Sequence, residues 1–129
     1  MKTDHIRTFT QANKAAWEAS AHLHGQGKEW DELLLAASQP DFNVLDACLS
    51  ATLTELGIAG RSAVQVGCNN ARELLSLASF GARPLLGLDQ SAAFLAQGVQ
   101  IAKASGLAPV WWKRIFMLCL TIWAATIWC

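Results

Sequence analysis

The chain has no tyrosine, only three prolines and only four cysteines in 129 residues. The cysteines (Cys48, Cys68, Cys119 and Cys129) form no CxxC and match no zinc-ligand spacing, so no metal is expected. They are expected to be free thiols of a reducing compartment. Charge of either sign is also missing in excess, because 10 basic and 10 acidic residues cancel. Without a basic patch, nucleic-acid binding is not indicated. The first turns of the chain are polar and lack the apolar core of a secretory signal. A cytoplasmic location is therefore expected. The glycines never fall as G-x-G-x-x-G, which removes the dinucleotide fingerprint. The length leaves room for one domain.

What the chain does have is a stretch from Ala63 to Asp89 that organises the rest. Val64 and Val66 flank Gln65 in a β-branched run, which predicts a buried strand. Gly67 breaks the run, and Cys68, Asn69 and Asn70 follow as a loop. Leu74, Leu75, Leu77 and Ala78 recur at helical spacing from Ala71 to Phe80, and Gly81 stops the helix. Pro84 to Leu88 is a second apolar run that ends at Asp89. The result is a βαβ unit with glycine at the first strand's carboxyl edge and an acid about 20 residues further on, where a ribose hydroxyl would be bound. The turn lets a ligand approach the backbone, and the helix start is expected to offer free N–H groups. A nucleoside-bearing cofactor fits this layout.

Val64, Val66, Gly67, Cys68, Leu77, Ala78, Gly81, Ala82, Gly87, Leu88, Asp89 and Ser91 together resemble motif I and the following strand of class I S-adenosylmethionine-dependent methyltransferases. Gln65 stands where that family has an acid, and Asn69 and Ala71 stand where it has glycines. The Cys-Asn-Asn variant followed by Glu-Leu-Leu-Ser-Leu is similar to a subgroup of such enzymes. The resemblance covers roughly Asn13 to Ala108. It implies an incomplete Rossmann-like, doubly wound α/β sheet: N-terminal helices plus the first βαβα unit of a seven-stranded fold. It also implies S-adenosylmethionine as cofactor, held by Gln65, Gly67, Cys68, Asn69, Asn70, Asp89 and Gln90, with Asp89 on the ribose and Gln90 by the adenine. The methyl acceptor stays open, and no catalytic residue is assigned.

Residues 1–60 are expected to form a helical cap. Thr10 or Asn13 is a candidate cap for a helix running to about Leu23, with Trp17, Ala21 and His24 on one face. The family's N-terminal helix often closes over the cofactor, which makes Trp17 and His22 candidate lid residues. His22 and His24 are too close in sequence to share a helix face, so a metal site is not expected there. Trp30 to Ser38 and Asp41 to Leu56 are two further predicted helices, with Asp46 and Glu55 as solvated acids. Ser91 is placed to cap a helix from Ala92 to Ser105, which Gly106 ends.

Residues 61–109 are the expected first half of the cofactor domain, and residues 110–129 an aberrant tail. That tail holds Trp111, Trp112, Trp123 and Trp128, with no acid and no glycine. Its run from Ile115 to Cys129 is shorter than the roughly 18–20 residues that span a bilayer, so a membrane anchor is not expected. Trp has a single codon, so a one-base shift forces valine at Trp111–Trp112, glutamate at Trp112–Lys113 and glycine at Trp123–Ala124. Those residues suit the next strand and loop of the methyltransferase fold. The sequence is accordingly expected to be an inactive product, frameshifted after about residue 109. The alternative expectation is a non-catalytic protein that docks on a membrane or partner through the tryptophan-rich tail.

Overall fold

A computed structural model of the chain describes residues 2–113. In order, α1 is Lys2–His24, α2 is Lys28–Ala37, α3 is Ala47–Leu56 and β1 is Ala63–Val66. Then come α4 at Arg72–Ser76, a 3-10 turn at Leu77–Phe80, β2 at Leu85–Asp89, α5 at Ala92–Ser105 and β3 at Val110–Lys113. The strands form one parallel sheet in the order β1-β2-β3. Val64 pairs with Leu86 and Leu86 with Val110, while Leu88 stands between Val66 and Trp112.

The observed fold is thus mixed α/β, with a βαβα core followed by a third parallel strand. Val110 to Lys113 form a strand of the sheet, so the segment expected to be an aberrant tail begins with a folded element. The rest of the expected tail, residues 114–129, lies outside the described residues. Trp111 explains why β3 joins. Its indole lies where a Cβ on Gly87 of β2 or Gly98 of α5 would stand 3.0 or 2.9 Å from it. Both positions lack a side chain, and the ring occupies the space.

The helices cover one face of the sheet. α4 and α5 pack on the strands, and α1 and α2 pack on α5. Leu74, Leu75, Ile101, Cys68 and Trp30 form the centre of the core. The other face is bare. Val64 and Val66, expected in a buried strand, are 58% and 59% exposed, and Val110 and Trp112 continue the same open surface. The alternation places these residues opposite Ala63, Gln65 and Trp111, and no described element crosses their side.

Two helix starts differ from expectation for local reasons. α1 begins far ahead of Thr10 because no glycine or proline interrupts Lys2 to Asn13. The Thr8 and Thr10 hydroxyls donate back to the Asp4 and Ile6 carbonyls inside the helix and cap nothing. Conversely, α3 begins only at Ala47. Asp46, exposed as expected, is also its N-cap, with Oδ1 accepting from the Leu49 amide at 2.8 Å. Just before it, Asn43 Oδ1 accepts from the Leu45 amide, and the Val44 amide donates to the buried Ser76 hydroxyl. Local polar bonds won over the helical period of Val44 and Leu45.

Candidate cofactor cleft

The loop from Gly67 to Ala71 is the centre of the site. Three of its residues are left-handed: Gly67 at φ 73°, Asn69 at 54° and Ala71 at 61°. These are the positions that carry glycine in the methyltransferase pattern. Asn tolerates this region because its short side chain bonds locally, and here Asn69 Oδ1 accepts from the Asn70 amide at 2.7 Å. Ala71 has no such help and bears about 1–2 kcal/mol of strain.

Every amide from Gly67 to Ala71 donates within the chain. Gly67 and Cys68 both donate to the Leu88 carbonyl, at 2.8 and 3.0 Å, and Ala71 donates to the Cys68 carbonyl at 2.7 Å. The Asn69 amide donates to Asp89 Oδ2 at 2.7 Å, and the Ser91 amide to Asp89 Oδ1 at 2.9 Å. Free N–H groups were expected at the helix start; the five loop amides that lead into α4 are already used. The bonds hold the loop against the carboxyl end of β2, so its shape exists before any ligand arrives.

A cleft of about 690 Å³ opens beside the loop. Gln65, Gly67, Cys68, Asn69 and Asn70 form one wall, with α4's Arg72 and Glu73 at its edge. Trp17 and His24 of α1, Glu29 of α2 and Phe94 of α5 form the other. Trp17 meets Phe94 edge-on at 6.0 Å, and His24 lies 5.8 Å from the same ring. Of the expected lid pair, Trp17 is on the cleft and His22 is not. His22 is exposed, with Nδ1 against the Ala19 carbonyl at 2.8 Å. Two residues along an α-helix turn the side chain by about 200°, which brings His24 to the wall instead.

Asp89 and Gln90 are buried and do not line the cleft. Asp89 acts on it through Asn69. Each Asp89 oxygen has accepted one backbone N–H, and a carboxylate has about four acceptor positions, so capacity remains. Gln90 Oε1 is buried with no hydrogen-bond partner, as is Gln65 Oε1. Cys68 is fully buried against Gly87. Burial, with a smaller push from the Asp89 charge, raises its thiol from 9.0 to about 12. It is therefore a packing group at neutral pH, not a nucleophile.

Among the described residues, no group of three or more His, Cys, Asp or Glu side chains is placed to hold a metal ion. No described helix is long and apolar enough to cross a membrane.

No protein-family model, curated protein or solved structure matches the chain. The residues that sequence reasoning passed over are His24, Glu29 and Phe94. For His24 and Phe94 a signal existed: the Trp17–Ala21–His24 stripe had to pack on something apolar.

Proposed function

We propose that this cleft binds S-adenosylmethionine and that the chain has the cofactor side of a Rossmann-like methyltransferase fold. The observation that carries the reading is the fully satisfied loop. A dinucleotide places a pyrophosphate on such a turn and needs its amides free. S-adenosylmethionine has no phosphate, so a loop that offers shape without free amides suits it and not NAD. Gln65 lines the cleft, and its buried Oε1 has no partner, so a small turn of the side chain would offer an acceptor to the cofactor's ammonium. Gly67 lets the backbone approach the ligand. Asp89 shapes the cleft from behind by fixing Asn69, and Gln90, buried off the cleft like Asp89, meets no ligand placed there.

When bound, the sulfonium supplies an electrophilic methyl group. The protein contributes alignment, holding the donor so that an acceptor's lone pair meets the methyl carbon in line. Cys68 is too deeply buried and too firmly protonated to take part. Free Cys48 and Cys68 fit a reducing, cytoplasmic setting.

The test is calorimetric titration of the full chain with S-adenosylhomocysteine and with NAD. Saturable binding of the first and none of the second is expected. NAD binding alone would overturn the reading.

One observation favours a second reading. The bare sheet face at Val64, Val66, Val110 and Trp112 suits a non-catalytic docking protein. Self-association or partner capture abolished by V66K, together with no response to either cofactor, would favour it.

A further inference from the structure

We propose that the molecule sharing the cleft with the cofactor is a small organic cation of the alkylammonium class. This rests on the cofactor reading for its setting, and on the opposite wall of the cleft for its content. That wall is aromatic and acidic. Trp17 projects from α1, held edge-on against Phe94, and half of its surface stays open. Of the aromatic side chains, an accessible indole attracts a cation most strongly.

The charges agree. Glu29, Glu32 and Glu73 line the cleft, and among the described residues Arg72 is the one Lys or Arg lining it. Arg72 Nε is held by Glu73 at 3.0 Å, and Glu32 is met by Lys28 at 3.6 Å. Among the described residues Glu29 has no ion-pair partner, so one carboxylate on the cleft is left uncompensated. An anionic ligand would meet this charge in the same cleft. A neutral one would leave both features unused. A cation uses the ring and the carboxylate together, and it needs none of the loop amides, which are already committed.

The experiment titrates choline into the full chain saturated with S-adenosylhomocysteine, and compares it with 3,3-dimethylbutan-1-ol, a neutral molecule of the same shape. n-Propylammonium is the second cationic probe. A preference of about tenfold or more for a cation over the neutral isostere is expected, as a ring-plus-carboxylate contact confers. E29Q and W17A are each expected to weaken cation binding at least about fivefold. Glu29 is exposed and Trp17 half-exposed, so both variants should fold, and circular dichroism checks that they do. Equal binding of choline and the alcohol, no binding of either cation, or unchanged affinity in both variants would each overturn the proposal. If S-adenosylhomocysteine itself fails to bind, the cofactor reading falls. The cation titration is then run on the free chain and is judged by the same outcomes.

Discussion

The amide of Asn69 donates to the Asp89 carboxylate at 2.7 Å, which ties the first loop of the βαβ unit to the end of its second strand. The other oxygen of the same carboxylate holds the Ser91 amide at the start of α5. One buried acid therefore joins a loop, a strand and a helix.

D89N tests this junction. An amide offers one acceptor oxygen and turns N–H donors toward a backbone donor. One buried amide is left without a partner, at a cost of about 1–3 kcal/mol. Chemical denaturation should show a loss in that range, and the same variant should weaken S-adenosylhomocysteine binding. A neutral effect on stability would remove Asp89 as the junction.

Ala71 tests the strain. Replacing it with glycine relieves about 1–2 kcal/mol of left-handed strain. It also removes a fully buried methyl worth about 0.8 kcal/mol and frees the unfolded chain by about 0.5–1 kcal/mol. These terms nearly cancel, so A71G should shift stability by less than about 1 kcal/mol. A71V puts a branched side chain in the same conformation and in a closed space. It should cost more than about 2 kcal/mol. Denaturant midpoints of the pair decide the matter: similar values would show that position 71 is not left-handed.

Gly98 tests the slot for Trp111. A Cβ there would stand 2.9 Å from the indole and 3.0 Å from the Asn70 carbonyl, which is backbone and cannot swing away. Alanine gains about 1 kcal/mol of helix propensity over glycine, and overpacking costs about 1–3 kcal/mol. Sterics should win, and G98A should lower the melting temperature. A rise would place Trp111 elsewhere.

The Cys68 thiol sets a pH dependence. In the unfolded chain it loses its proton near pH 9.0, while in the folded chain it keeps it to about 12. Between those values the folded state binds more protons, so stability falls as pH rises, by at most about 1.4 kcal/mol per pH unit. Below pH 9 the contribution is complete. C68A should flatten that fall when denaturation is followed from about pH 8 to about pH 11. At neutral pH, iodoacetamide with peptide mapping should label exposed Cys48 and spare Cys68 until the chain unfolds.

The order of elements from Ala63 to Ser105 was legible because the signals there are local. Gly81 and Gly106 end their helices, and Ser91 caps α5 by accepting from the Phe94 amide. The exposure of β1 was not legible. An apolar strand announces that it can be buried, and whether a layer lies over it is decided elsewhere in the chain. The late start of α3 was not legible, because Asn43 and Asp46 bond to nearby amides, which a hydrophobic period does not register. For the site, Gln65, Gly67, Cys68, Asn69 and Asn70, expected together, all line one cleft. It chose His22 although the stripe through Trp17 and Ala21 passes through His24. That the loop amides were spent could not be read from residue types, since it depends on where the Leu88 carbonyl and the Asp89 carboxylate arrive.

The left-handed backbone at 67, 69 and 71 has a consequence for how such loops are found. A search keyed to glycine letters passes over this turn, because Asn69 and Ala71 hold left-handed backbone without being glycine. A template written in backbone angles, together with an acid that reaches back to the loop, would find it and any other chain that makes the same curve from other residues.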